Sequence, residues 1–417
     1  MSVVTTRAGH AKAAREVPAG RPRARSAGRT VRLVPSAMVA GGEALAHEEG
    51  GRVVLVAGAL PGETVDAELV EERAGYARAR LVAVVEPVPE RTVPPCPHVA
   101  RGCGGCGWQH ISPAAQRRFK ASVVCDSLRR LGGLGDPKVV LGPELPAFGY
   151  RTVLRLAVAR RAGFRRYRGS EVVEVDSCLV AHPMLAELLV EGDFGEACGA
   201  VVRCGARTGE RLAVLSPSAS GARLPPEVHV VGEDELAAGR RAWLSERVAG
   251  VRLRVSAQSF FQASPEGSEA LADLVATAVA GAPAGRFVDA YGGVGLFAAT
   301  AGRHRPVTLL ESSASSVADA RVNLPGAKVL RVDVGRWSPS PAAVVVADPP
   351  RAGLGRRAVA ALGGTGASHL ALVACDAASL GRDAALLTAE GFRLESTTVV
   401  DMFPGTPHVE TVSRFVR

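Results

Sequence analysis

From about Ser264 to the C-terminus, short apolar strand-type runs alternate with helical stretches, and this regularity limits the possible folds more than any other feature of the chain. A helix is expected from about Glu266 to Val279, leading to a strand that ends at Asp289. Further strands are expected near 307–310, 328–332, 343–347 and 370–374. A strand followed by a crossover helix returns to the same sheet in parallel. The alternation therefore predicts an α/β domain with a doubly wound, mostly parallel, Rossmann-like sheet. In such sheets ligands bind beyond the carboxyl ends of the strands. Two last β-runs, near 392–400 and 411–416, are joined through Phe403-Pro404-Gly405-Thr406-Pro407.

The chemistry-bearing residues fall at those strand ends. Asp289-Ala290-Tyr291-Gly292-Gly293-Val294-Gly295 follows its strand directly and opens a helix. Gly293 and Gly295 allow close backbone approach to a ligand, and a helix N-terminus favours a negative group. Glu311 ends the next strand about twenty residues on, where it would hold ribose hydroxyls of a dinucleotide or of S-adenosylmethionine. Asp348-Pro349-Pro350-Arg351 puts a carboxylate at the sheet edge, before a stretch kept extended and without N–H donors by its prolines. Cys375 follows the apolar run Leu372-Val373-Ala374, and His408-Val409-Glu410 lies downstream. Together these are a nucleophile, a candidate base and a nucleotide-type turn in one domain. A cysteine thiol ionises at about 8.5 when unperturbed, so such a nucleophile needs a site that raises its thiolate fraction or aims it well.

Upstream the pattern changes. Short β-branched runs at 53–56, 65–70 and 81–85, punctuated by turns such as Leu60-Pro61-Gly62-Glu63, predict a small β-barrel over residues 31–92. Residues 93–255 mix strands and helices in a central α+β domain, and 256–417 form the catalytic domain. Cys96, Cys103 and Cys106 cluster around a Gly-Gly pair, and Cys178 follows far downstream. The glycines let both nearby sulfurs face one centre and free amide N–H groups to bond to them. Three close thiolates with a distant fourth suit an iron–sulfur cluster, or equally a four-thiolate zinc site. His98 is expected to be an exposed turn residue, and Cys125, Cys198 and Cys204 to be packing residues.

Composition sets the outer limits. The 417 residues imply two or three domains, and a hydrophobic content of 47% supplies their cores. No apolar run reaches the roughly 18–20 residues that span a bilayer, and no N-terminal segment resembles a signal peptide, so the chain reads as cytoplasmic, without a membrane partner, and as a monomer. Of the net charge of +9, most sits in residues 1–30, where seven Lys/Arg face one Glu. That segment is expected to be a disordered basic tail.

With these motifs in hand, the chain from about residue 32 onward resembles the RNA uracil-C5 methyltransferase family. The barrel resembles a TRAM domain, an OB-like barrel, most clearly at Ala59-Leu60-Pro61-Gly62-Glu63. The resemblance implies a class I S-adenosylmethionine methyltransferase fold and assigns Gln262 (in Ser259-Phe260-Phe261-Gln262), Tyr291, Glu311 and Asp348 to the cofactor. It makes Cys96, Cys103, Cys106 and Cys178 ligands of a 4Fe-4S cluster, Cys375 the nucleophile and Glu410 the base. The implied product is 5-methyluridine in rRNA or tRNA, with the barrel and Phe164–Arg168 holding the RNA. Three departures stand out. Gly292 replaces a usual cysteine, Asp376-Ala377 replaces Asn-Pro after the nucleophile, and one extra residue separates Cys96 from Cys103. A carboxylate at 376 is expected to raise the thiol pKa. The alternatives are an S-adenosylmethionine-dependent N-methyltransferase, which needs no Cys375, and a catalytically silent RNA-binding protein.

Overall fold

The computed structural model describes residues 28–417. The basic tail expected over residues 1–30 lies, up to residue 27, outside the described residues.

Six strands, Thr30–Leu33, Ala37–Met38, Ala44–His47, Val53–Ala57, Thr64–Glu72 and Tyr76–Glu86, form the first sheet. The two at its edges are the first and second in the chain, with only residues 34–36 between them. A sheet whose edge strands are tethered this closely must roll up, so the expected barrel forms. Alternate residues Val54, Val56, Val65, Ala67 and Leu69 point inward and are buried. Glu63 is fully buried at the Leu60–Glu63 turn, where its carboxylate accepts from Leu60 N (2.8 Å) and from the Arg91 guanidinium (2.7 Å). A buried carboxylate is tolerated because these partners replace its water.

A second sheet of six strands spans Val153–Val158 to Val228–Gly232, with the helix Pro183–Glu191 packed against it. The hairpin Trp243–Val248/Val251–Ser256 links it to the third sheet.

That third sheet has eight strands. In spatial order they are Lys328–Arg331, Val307–Glu311, Phe287–Ala290, Val344–Ala347, His369–Ala374, Glu410–Val416, Arg393–Val400 and Val139–Leu141. The first five run parallel, and Glu410–Val416 is antiparallel to both its neighbours. Chain order reverses between Phe287–Ala290 and Val344–Ala347, which creates the crevice where such sheets bind ligands. The expected helix forms over Pro265–Ala278, capped by Ser264, whose hydroxyl accepts from Gly267 N at 3.0 Å.

The eighth strand departs from the expected layout. Val139–Leu141 and the helix Pro113–Arg130 fall within the central stretch 93–255, yet both pack on the C-terminal sheet, the strand beside Arg393–Val400 and the helix against Ala377–Ala389. A three-residue edge strand carries too little alternation to be read. The helix hides Gln116 and Lys120 on its buried side, which blurs its apolar stripe. Among the described residues no helix is long and apolar enough to cross a membrane.

Candidate active site

Strand register brings Cys375 and Glu410 together. In the antiparallel pair of His369–Ala374 with Glu410–Val416, Ala374 lies opposite Thr411, whose hydroxyl donates to Ala374 O at 3.0 Å. Cys375 follows Ala374 directly and Glu410 precedes Thr411, so the register brings the two close enough for Glu410 to act on the thiol. Asp348 sits at the end of the adjacent parallel strand, where Ala347 pairs with Leu372. A residue far away in sequence thereby becomes a third member of the site.

The electrostatics are dominated by buried acids. Burial, then Glu410 and Asp348, push the Cys375 thiol up to about 11, against Arg351 and the residue's own backbone N–H, which pull it down. Glu410, 4% exposed, is raised well above the usual carboxylate range by burial and then by Asp348, with Arg351 opposing. Burial lifts Asp348 to about 7. At rest near neutral pH, Cys375 is a thiol, and the two carboxylates hold protons far more tightly than free ones. Asp376 does not take part. Its carboxylate accepts from Ser379 N at 2.8 Å and caps the helix Ala377–Ala389, so the expected effect of Asp376 on the thiol is replaced by that of Glu410 and Asp348.

On the glycine-turn side, Tyr291 has a left-handed backbone, φ 58°, and Gly295 follows at φ 96°. Glu311 steadies this turn by accepting from Gly293 N (3.1 Å) and Ser313 N (2.7 Å). Gln262 reaches Asp348 Oδ2 only at 3.4 Å. Asp289 is fully buried and pushed up to about 7 by burial, then by Asp348 and Glu311. One of its oxygens accepts from Ala298 N at 2.9 Å, and the other has no partner. Sequence reading passed over Asp289 as a site residue, although a strand-ending Asp before a glycine turn was the available signal. At Gly292 an added Cβ would lie 2.6 Å from Leu309 Cγ, so Leu309 fills the room that a larger residue would take.

A cavity of about 580 Å³ runs from Cys375 to the cysteine set. Cys375, Arg351 and His408 line one end, and Cys96, Cys103, Cys106 and Cys178 the other. Arg351 Nη2 lies 3.3 Å from His408 Nδ1, and burial, then Arg351, lowers His408 to about 4. All four cysteines are free thiols. Gly105 N–H donates to the Cys103 sulfur, the Gln109 side chain to Cys106, and Val180 and Ala181 N–H to Cys178. Gly104 is obligatory here, since a Cβ would meet Arg165 O at 2.8 Å and Tyr167 N at 2.9 Å. Among the described residues no three His, Cys, Asp or Glu side chains converge as they would on a single metal ion.

Two expectations are corrected at this end. His98 is buried, 1% exposed, because it clips the cysteine segments together: Nε2 faces Asp176 Oδ1 (3.0 Å) and Ser177 Oγ (3.2 Å), while Nδ1 faces Arg101 Nη1 (3.1 Å). Cys198 is exposed rather than packed, with its Sγ donating to Ser216 O (3.4 Å), and Cys125 is half-buried; Cys204 does lie in the central core. Of Phe164–Arg168, Phe164 and Arg165 line the cavity. Arg166 pairs with Glu171, and Arg168 with the barrel's Glu43 while covering the Tyr167 ring.

A parallel sheet with a glycine turn at its switch point, behind a rolled N-terminal sheet, defines a class I methyltransferase fold joined to a TRAM domain. Residues 36–82 match the TRAM domain model. An RNA methyltransferase of Streptomyces avermitilis is 35% identical over 89% of this chain and 95% of its own length. The 23S rRNA (uracil(1939)-C(5))-methyltransferase RlmD of Alkalilimnicola ehrlichii is 33% identical over 90% of this chain and 94% of its own. In fold, the chain is similar to the Pyrococcus abyssi tRNA (uracil-54, C5)-methyltransferase solved with S-adenosyl-L-homocysteine. Their TM-score is 0.70 at 24% identity, over 93% of this chain and all of that one. The chain belongs to the RNA uracil-C5 methyltransferase family.

Proposed function

We propose that this chain methylates C5 of a uridine in ribosomal or transfer RNA, through a covalent bond between Cys375 and uracil C6. The observation that carries this reading is the gathering of Cys375, Glu410 and Asp348 at adjoining strand ends, a thiol and two proton-hungry carboxylates that act on one another. S-adenosylmethionine, when bound, supplies a methyl group on a positively charged sulfonium. Gln262, Tyr291, Glu311 and Asp348 would hold it. The open oxygen of Asp289 and the long contact of Asp348 leave acceptors for its cationic and hydroxyl groups.

Uracil C5 is a weak nucleophile, so direct transfer would be slow. Cys375 gives up its proton to solvent, its thiolate Sγ adds to C6, and the C5–C6 π electrons move into the C4–O4 enolate. C5 is then the nucleophile toward the methyl group that bound S-adenosylmethionine would supply, its sulfonium becoming a neutral thioether. Glu410 removes the C5 proton, the freed pair re-forms the C5–C6 double bond, and the thiolate departs. A carboxylate whose proton affinity is raised by burial is a stronger base for that last step.

RNA as substrate is supported by the cavity wall, which carries Arg151, Arg155, Arg165 and Arg351 and, among the described residues, no Asp or Glu. Low-dielectric walls focus such a positive field on phosphates. The cysteine set fits a 4Fe-4S cluster better than zinc. N–H donors already face three of its sulfurs, as around iron–sulfur groups, whereas zinc needs sulfurs about 2.3 Å from one point. Cys96, Cys103, Cys106 and Cys178 would hold the cluster, whose iron charge would stabilise them as thiolates. In this reading 31–92 is the barrel, 93–255 the central unit and 256–417 the catalytic unit, with 113–141 packed on the last.

Incubation with 5-fluorouridine-containing RNA and S-adenosylmethionine tests the proposal. The expected outcome is a protein–RNA bond that survives denaturation, absent in Cys375→Ala, whose turnover falls on the order of 10⁴-fold. No adduct with any cellular RNA would reject the reading, and a fully active Cys375→Ala would point to nitrogen methylation.

A further inference from the structure

Glu410 opens its strand directly after the loop 401–409, which closes the hairpin from Arg393–Val400. That loop also carries Phe403, Thr406 and His408 into the cavity wall. Its backbone is held by its own turns, Met402 N to Val400 O (3.1 Å) and Thr406 N to Phe403 O (3.2 Å), and from outside by four other residues. Lys120 Nζ, fully buried on the helix Pro113–Arg130, donates to Asp401 Oδ1 (2.5 Å) and Phe403 O (3.2 Å). Tyr150 OH donates to Pro404 O (3.3 Å), Trp108 N to Gly405 O (2.8 Å), and Gly405 N to Gln116 Oε1 (2.6 Å). Trp108 in turn covers Lys120, 5.9 Å from its ring centre, and donates from Nε1 to Gly42 O of the barrel (3.1 Å).

A buried ion pair seldom gives net stability over an apolar pair of the same size, so its use here calls for another gain. Conformational specificity is that gain: the ion pair pins both Asp401 and Phe403 O ahead of the turn at Gly405 (φ 78°), and so selects one path to Glu410. We infer that Lys120, Asp401 and Tyr150 are positioning residues for the base, fixing the path by which the chain presents Glu410 to the C5 proton. The inference rests on the covalent reading above. None of these three residues touches the reacting atoms. Their loss weakens proton removal more than sulfur addition, because Cys375 follows a different strand, His369–Ala374.

The test uses the full chain with S-adenosylmethionine and RNA from cells lacking this protein. Lys120→Met is expected to slow turnover on the order of 10²-fold, the scale of an ångström-sized misplacement. KM for RNA should stay within about twofold, since the variant leaves the arginine-lined wall in place. A denaturation-resistant protein–RNA adduct should accumulate on ordinary uridine, as in Glu410→Gln, because only the last step stalls. Tyr150→Phe, which removes one hydrogen bond and no charge, should show the same signature at about fivefold. The Lys120→Gln, Asp401→Asn double variant, which keeps a donor facing an acceptor, should restore turnover. A purely structural role predicts that turnover and adduct fall together. That result, or parental turnover in both Lys120→Met and Tyr150→Phe, overturns the inference; where Lys120→Met fails to fold, Tyr150→Phe decides alone. A parent chain that forms no adduct with 5-fluorouridine RNA is a failure of the covalent reading instead.

Discussion

Two sets of thiols face one cavity, and what surrounds them differs in kind. Cys375 is met by the carboxylates of Glu410 and Asp348, with Arg351 as the opposing cation. Cys103, Cys106 and Cys178 are met by N–H donors, from Gly105, Gln109, Val180 and Ala181. Burial raises all four and is the largest cause for each. Beyond burial the neighbours differ in kind: carboxylates raise Cys375 further, whereas at Cys103, Cys106 and Cys178 the neighbouring cysteines raise the thiol and N–H donors lower it. A carboxylate favours the neutral thiol, and an N–H donor favours the thiolate. In the reading proposed above, the same side chain is kept protonated as a guarded nucleophile at one end and would serve as a ligand at the other.

The largest expected effect comes from breaking the ligand end. Binding free energy of a structural metal group is folding free energy, on the order of 10 kcal/mol for zinc fingers, so even partial loss is severe. Cys103→Ser, prepared without oxygen, should lose iron, sulfide and visible absorbance, and should melt at least about 10 °C lower, at about 2–4 °C per kcal/mol. Cys375→Ser should keep its chromophore and its melting temperature. Equal iron content and equal melting in Cys103→Ser and the parent would break the contrast.

A smaller effect tests the guarded end. The Cys375 thiol sits near 11 partly because ionised Glu410 repels its thiolate. Glu410→Gln removes that charge and should move the midpoint down, so the alkylation rate of Cys375 by iodoacetamide rises at lower pH. Lowering the midpoint by about one pH unit corresponds to about 1.4 kcal/mol and makes alkylation at pH 8 about tenfold faster. Cys106, also pushed up to about 11 but with no carboxylate among the causes, should not change. Mass spectrometry of the two peptides across pH 7–11 reads both at once. An unmoved Cys375 midpoint would remove Glu410 from the account.

Linkage adds a sign to the same comparison. Asp348 is raised from its ordinary value to about 7, so the folded chain holds a proton that the unfolded chain has lost. Its contribution to stability is fully present below about pH 4 and is lost as pH rises through 7. Asp348→Asn should therefore melt higher than the parent at pH 8, with the gap narrowing as pH falls through 7 and closing only below about pH 4. A constant difference across that range would contradict the raised value.

Much of the catalytic sheet was legible because parallel strands buried on both faces are unbroken apolar runs, as at Leu370–Ala374, and because the acids and the thiol sit just past their ends. That Cys375 and Glu410 act together was implied by the family resemblance, and local pattern alone did not give their nearness. That nearness depends on inserting Glu410–Val416 between His369–Ala374 and Arg393–Val400, a register that no local pattern encodes. His98 was misread for a related reason. A histidine beside proline in a short turn looks exposed until Asp176, seventy-eight residues away, is folded against it. The outlying strand Val139–Leu141 and the Lys120–Asp401 pair are long-range in the same sense, since each joins the central stretch to the last sheet.

Asp376 gives the smallest effect and the sharpest check, because it adjoins Cys375 in sequence and acts elsewhere. Its carboxylate is turned to Ser379 N, the N-cap of Ala377–Ala389, and it is not among the groups that shift the thiol. Asp376→Asn keeps a capping oxygen, so stability should change by only a few tenths of a kcal/mol. Asp376→Ala should cost about 1 kcal/mol, the usual loss of an N-cap. In both variants the alkylation midpoint of Cys375 should stay where it is in the parent, in contrast to Glu410→Gln. A downward shift in Asp376→Asn as large as that in Glu410→Gln would mean that the thiol senses charge by nearness in sequence. The cross-strand geometry would then no longer explain how the nucleophile is guarded.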